Sequence, residues 1–180
     1  MNPKDQAITS GSQNTRMDRE ILSWTGKVTA IGVFSYSVPY LEEIFAEATV
    51  VPAVVQIENH PSLPQQDIVD FCKEKVIHIT AYSHLDSIGE PLLETEPVIE
   101  VANVAPTVVL LSYYIARGSS VLAKSFNPSR IQSNKKIIKL DVSDMKALKD
   151  HSDDLKKNGK LVTYVYPAFG VDLKFPDQSK

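Results

Sequence analysis

The sequence predicts an α/β chain built on parallel strands, and three observations predict it. From Thr29 onward, short β-branched runs alternate with segments of helical period. The strand-like runs are apolar at consecutive positions, and Pro39 and Pro64 stand near helix starts, where a missing N–H costs little. Consecutive apolar positions mark strands buried on both faces, as a parallel sheet covered by helices requires. In chain order, Thr29 to Phe34 is the first strand and Val38 to Glu47 the helix behind it. Ala53 to Glu58 is the second strand, followed by a helix over Gln65 to Lys75, where Cys72 lies one turn from Ile68 and beside Phe71 on the buried side. His78 to Ser83 is the third strand, Thr107 to Ala116 the third helix and Ser120 to Ser125 the fourth strand. Ser143 to Lys157 spaces Met145, Leu148 and Leu155 along a charged surface, which predicts an amphipathic helix with a solvated face.

At 180 residues, 43% hydrophobic and 23% charged, the chain has the profile of one globular domain. Residues 1–16 hold Ser, Asn, Gln, Thr and Gly with almost nothing apolar, so a disordered leader is expected ahead of a domain over 17–180. A net charge of -3 and the lack of a basic stripe argue against nucleic acid and anionic membranes as partners. One cysteine and no basic, apolar-cored leader predict a cytoplasmic, unsecreted protein. No apolar run approaches the ~20 residues of a membrane span. The glycines, at 11, 26, 32, 89, 118, 159 and 170, build neither a GxGxxG turn nor a phosphate-binding GxxxxGK loop. Histidines at 60, 78, 84 and 151 are scattered, with no CxxC or HExxH, so no metal site is expected. Four parallel strands alone leave two unpaired edges, which a (β/α)8 barrel removes by closing eight strands over typically ~250 residues.

Four ordered segments then carry a resemblance. They are Ile31-Gly32-Val33-Phe34-Ser35-Tyr36-Ser37, Val54-Val55-Gln56-Ile57-Glu58-Asn59-His60-Pro61, Thr80-Ala81-Tyr82-Ser83-His84-Leu85-Asp86-Ser87, and Leu122 through Asn134. In order and spacing they resemble the aldo-keto reductases, from about Met17 to the Phe169-Gly170-Val171-Asp172 stretch. What they resemble is the C-terminal half of that family's barrel. The resemblance implies a half (β/α)8 barrel that binds NADP(H) without a Rossmann motif. It also implies that the family's catalytic Tyr, Lys, Asp and His, which lie in its N-terminal half, have no counterpart here.

By resemblance, Gln56 meets the nicotinamide carboxamide, Tyr82 is the ring on which nicotinamide stacks, and Ser83, Leu85 and Ser87 lie beside the pyrophosphate. On the residues alone, Tyr82 is equally a tyrosine capping the core. Lys124 and Ser125 end the last predicted strand, and Asn127-Pro128 is a good N-cap and first-turn pair. Arg130 and Asn134, four apart on one helix face, converge with Lys124 on an anion, which the resemblance makes the adenosine 2′-phosphate of NADP. The other reading leaves Lys124 and Arg130 as surface cations. Departures from the family pattern are Phe34 and Ser35 for Ser-Asn, Val55 for Asn, His84 for Pro, Asp86 for Gly and Gln132 for Glu. His84 and Asp86 are thereby the candidate acid/base pair, while His60 matches a structural histidine. Leu161 to Phe169, LVTYVYPAF, is either a substrate wall or a plug in the barrel mouth. The function expected is NADP(H)-linked reduction of aldehydes or ketones, or oxidation of the matching alcohols, with a homodimer or a partner completing the barrel. The alternatives are a non-redox binding or assembly protein and a repurposed enzyme on the same half barrel.

Overall fold

The computed structural model describes residues 24–82, Val98 and 104–164. The expected leader over 1–16 lies outside them. The elements run β1 (Gly32–Phe34), α1 (Val38–Glu47), β2 (Val54–Glu58), α2 (Gln66–Glu74), β3 (His78–Tyr82), α3 (Pro106–Ala116), β4 (Ser120–Val121), α4 (Pro128–Ser133) and α5 (Val142–Lys157). The strands form one four-stranded sheet in the order β1-β2-β3-β4, with every neighbouring pair parallel. Right-handed crossovers in an unreversed strand order put every connection on the same side, so the helices cover one face.

That covered face holds the core. Val55 and Ile57 of β2 with Ile77 and Ile79 pack against Leu41 of α1 and Ile68 and Cys72 of α2. Ala81 of β3 joins a second cluster with Val98, Val109, Leu110, Tyr113 and Tyr114 of α3, Leu140, and Leu148 of α5. α3 is buried from Val108 through Tyr114 because the sheet takes one side and the segment leading into α5 the other. The uncovered face carries the alternate positions Phe34, Val54, Gln56, His78, Thr80, Tyr82 and Ser120. Phe34 is 61% exposed there, and His78 Nε2 bonds Ser120 Oγ at 3.0 Å while Thr80 Oγ1 bonds the same oxygen at 2.7 Å.

Three strands are shorter than the sequence predicts, β2 only by its first residue, and Ser83, the predicted end of β3, lies outside the described residues. β1 starts at Gly32 rather than Thr29, although Ala53 N–H still donates to Ile31 O at 2.8 Å. β4 stops at Val121 rather than Ser125, because β3, to which it pairs Thr80↔Ser120 and Ala81↔Val121, itself ends at Tyr82. Lys124 and Ser125 therefore lie beyond the last strand, not at its end. Gly32 permits the close approach of β1 to β2, since a Cβ there would meet Val54 O at 2.9 Å. α2 begins one residue late because Gln65 takes a left-handed conformation, φ 45°, that no helix continues. α5 opens with a capping box, Asp141 accepting from Asp144 N–H and the Asp144 carboxylate accepting from Asp141 N–H. Its exposed face carries the pairs Lys146–Asp150 and Lys149–Asp153.

Candidate functional site

The C-terminal ends of the strands meet along one edge of the sheet, and the sequence at each end decides what is displayed. β1 delivers Ser35, whose backbone N–H donates to Gln56 O at 2.7 Å and so extends the β1–β2 ladder by one residue. Ser35 has φ 56°, in the left-handed region that L residues avoid. From there its hydroxyl is 2.8 Å from the hydroxyl of Tyr82, the last residue of β3. Gln56, in register with Phe34 on one side and Thr80 on the other, lies on the strand between them. The structure thus brings Gln56 and Tyr82 to neighbouring strands, and adds Ser35.

The second predicted group follows β4. Asn127 caps α4 as expected, its Oδ1 accepting from Ser129 N–H at 2.9 Å and Arg130 N–H at 3.2 Å. Ser125 Oγ accepts from Asn127 N–H at 3.2 Å, which holds the approach to the helix. Arg130 is exposed, and Asn134 closes the helix with its N–H on Arg130 O at 2.9 Å. Lys124 is exposed too, its ammonium 5.4 Å from the centre of the Phe126 ring. Ser83, Leu85 and Ser87, and the acid/base candidates His84 and Asp86, lie outside the described residues. So does the 165–169 part of the LVTYVYPAF stretch.

Sequence reasoning missed what secures the end of β2. Glu58 is only 2% exposed, yet its carboxylate accepts from Thr163 Oγ1 at 2.7 Å and from Tyr164 N–H at 2.6 Å, with His60 Nε2 at 3.4 Å. Burial pushes its carboxyl up, but the hydrogen bonds from His60, Tyr164 N–H and Thr163 together outweigh it and hold Glu58 below the ordinary carboxylate value. His60 is wholly buried with its ring 4.8 Å from that of Tyr164, in keeping with a structural histidine. Val162 N–H on Ser62 O at 3.1 Å and Ser152 Oγ on Pro61 O tie the same turn to the C-terminal segment and to α5. The signal available in the sequence was a carboxylate two residues past Gln56 on a strand whose other three residues, Val54, Val55 and Ile57, are apolar.

Arg117, just past α3, braces the turn from the other side. Its guanidinium donates to Tyr113 OH at 2.6 Å, Gln66 Oε1 at 2.9 Å, Pro64 O at 3.3 Å and Asn59 Oδ1 at 3.4 Å. Burial raises the Tyr113 phenol, with Arg117 opposing, so the phenol stays neutral and serves as acceptor. Among the described residues no group of His, Cys, Asp and Glu is placed to hold a metal ion.

Comparison with known proteins gives this geometry its context. The family model described as Aldo/keto reductase family matches residues 13–96. The chain is 59% identical over 158 residues to the D-galacturonate reductase of Hypocrea jecorina, an alignment covering 86% of this chain and 51% of that protein. It is 41% identical over 135 residues to glycerol 2-dehydrogenase (NADP(+)) of Saccharomyces cerevisiae, covering 72% and 43%. A solved aldo-keto reductase enzyme from a Medee basin deep-sea metagenome library superposes with a TM-score of 0.81 at 28% identity, covering 91% of this chain and 61% of that one. Aldose reductase from Giardia lamblia superposes at 0.77 with 30% identity, covering 87% and 54%. The chain spans about half the length of the curated relatives it matches. Its four parallel strands with their helices are an α/β partial barrel.

Proposed function

The chain belongs to the aldo/keto reductase family, and from that premise we propose that it provides the NADP(H)-binding side of an oxidoreductase that interconverts aldehydes or ketones and the matching alcohols. One observation carries the reading. The strands run parallel in unbroken order, so Ser35, Tyr82 and the segment from Lys124 to Asn134 all lie at the same edge of the sheet, with Gln56 two residues short of it on β2, and barrels of this kind build their sites at that edge. The donor set suits the cofactor. Gln56 offers an amide to a carboxamide, Tyr82 a ring face, and Lys124, Ser125, Arg130 and Asn134 two cations and two polar side chains to a 2′-phosphate. Ser83, Leu85 and Ser87 follow β3 in the sequence, and we assign them to the pyrophosphate. The yeast relative is a glycerol 2-dehydrogenase (NADP(+)), which supports the same cofactor here.

When bound, the reduced cofactor supplies the hydride that a carbonyl carbon accepts. Negative charge then grows on the carbonyl oxygen and must be met by a positioned donor. In this sequence we assign that task to His84, with Asp86 orienting it, since no Tyr–Lys pair matching the family's acid occurs here. We assign the open strand edges to a second copy or a partner that completes the barrel, and the cytoplasm as the compartment, where a lone buried Cys72 stays reduced. Among the described residues no helix is long and apolar enough to cross a membrane.

Titration with NADPH and NADH, followed by calorimetry, tests the reading in the wild type and in Arg130→Ala. Tighter NADPH binding by about tenfold or more is expected, with the preference collapsing in the variant, since a charge-assisted contact contributes roughly 1.5–3 kcal/mol when desolvated. Equal dissociation constants unchanged in Arg130→Ala would sink the 2′-phosphate assignment. Absence of any NADPH binding would leave the non-redox binding or assembly role in its place.

A further inference from the structure

Ser35 combines two features that its neighbours lack. Its backbone sits at φ 56°, a conformation costly for any residue with a Cβ, and its side chain makes a single directed contact across the sheet, 47 residues away in sequence. β2 lies between β1 and β3, and parallel strands are spaced by about 4.8 Å, so the two Cα atoms stand two strand widths apart. A serine and a phenylalanine would not meet over that span. The contact needs the full length of a tyrosine and its phenolic oxygen. Tyr82 is consequently held at both ends, at its Cα by β3 and at its hydroxyl by Ser35, beside Gln56. The Ser35 backbone is itself pinned by its N–H on Gln56 O at 2.7 Å, so the anchor does not drift.

We propose that Ser35 is a positioning residue that locks the Tyr82 ring over the end of β2 as a preformed platform for a flat six-membered heterocycle, the nicotinamide ring of NADP(H). The inference rests on the cofactor reading given above. Residues that bind through stacking lose rotamer freedom when a ligand settles on them, and a ring fixed in advance has already lost it. The strained backbone of Ser35 is what aims its hydroxyl across β2 rather than along the strand. The contribution is therefore confined to the nicotinamide end and is blind to the phosphate end, where Lys124 and Arg130 lie.

The test measures the affinity of the full chain for NADPH and for adenosine 2′,5′-bisphosphate, which keeps the phosphate end and lacks the nicotinamide. The proteins are the wild type, Ser35→Gly, Ser35→Ala, Tyr82→Phe and the Ser35→Gly/Tyr82→Phe pair. Glycine accepts the left-handed backbone without strain and alanine meets the same Cβ penalty as the serine it replaces, so both variants keep the fold and lose only the hydroxyl. Each single variant is expected to lose about three- to tenfold in NADPH affinity, the pair no more than either alone, and none to change for the bisphosphate. An unchanged NADPH affinity in Ser35→Gly, equal losses for both ligands, or additive losses in the pair would overturn the positioning role. Wild-type chain that binds neither ligand would instead overturn the cofactor reading, and the role of Ser35 with it.

Discussion

Val76 places a β-branched side chain, 92% exposed, at φ 58°. Nothing around it offsets the steric penalty of about 1–2 kcal/mol for an L residue in the left-handed region, so Val76→Gly exchanges that penalty for a glycine entropy cost of about 0.5–1 kcal/mol. A net stabilisation of up to about 1.5 kcal/mol is expected, read as a higher urea midpoint at unchanged slope. Such positions are invisible to periodicity, because a valine between a helix and a strand looks like the start of that strand. Cys72 was legible for the opposite reason: one turn from Ile68 and beside Phe71, it is fully buried, and burial pushes its thiol up to about 11. Ser35 was only half legible. The resemblance marked it as a departure, but its link to Tyr82 depends on a backbone angle that no side-chain pattern encodes.

Helices were read to within a residue or so, since α1, α3 and α5 each carry a full period of apolar positions and α1 and α3 a proline in the first turn. Strand ends were not, because a strand stops where its neighbour stops, and β4 has only β3 to follow. The end of β2 shows what such local reading omits. Glu58 is held by Thr163 and Tyr164, residues more than a hundred positions away, and the pairing exists only once the fold brings the C-terminal segment across the turn. Its folded carboxyl titrates below the ordinary value of 4.5, so the stability it contributes is complete above that pH and is lost as the pH falls through the lower folded value. Unfolding midpoints of the wild type are expected to drop on acidification below pH 4.5, and those of Glu58→Gln to drop less. At neutral pH the variant should be less stable by about 1–3 kcal/mol, because Thr163 and the Tyr164 N–H lose an ionised acceptor in a buried site.

On the scale of the whole chain, β1 and β4 are the edges of the sheet, as the sequence predicts, and the face bearing Phe34 and His78 is open among the described residues. On the self-association proposed above, the four strands of the described residues in each of two copies would supply the eight of a (β/α)8 barrel, with β4 of one copy beside β1 of the other. Light scattering on the 180-residue chain is expected to give twice 20.0 kDa or more, and a stable monomer at 20.0 kDa would count against closure by self-association. Turnover belongs to the same scale. Losing one positioned proton donor typically costs about 100- to 1000-fold, so the isolated chain should reduce aromatic and sugar aldehydes at least that much more slowly than its full-length relatives. His84→Ala is expected to abolish what remains, whereas robust turnover indifferent to that substitution would place the acid elsewhere. The sequence revealed the βα order because periodicity is local, and the resemblance named the cofactor residues. Neither could show Glu58 meeting Thr163, which is a property of closure in three dimensions.

β3 parts the interior into two compartments, Ile79 facing the one under α1 and α2 and Ala81 the one under α3 and α5. The single thiol sits in the first of them, sealed beneath α2. Cys72 is therefore a stopwatch already installed: a small maleimide can reach it only during moments when α2 lifts, and its labelling rate counts those moments in one compartment alone. Set beside the unfolding rate of the whole chain, that count tells whether the two compartments breathe together or one at a time.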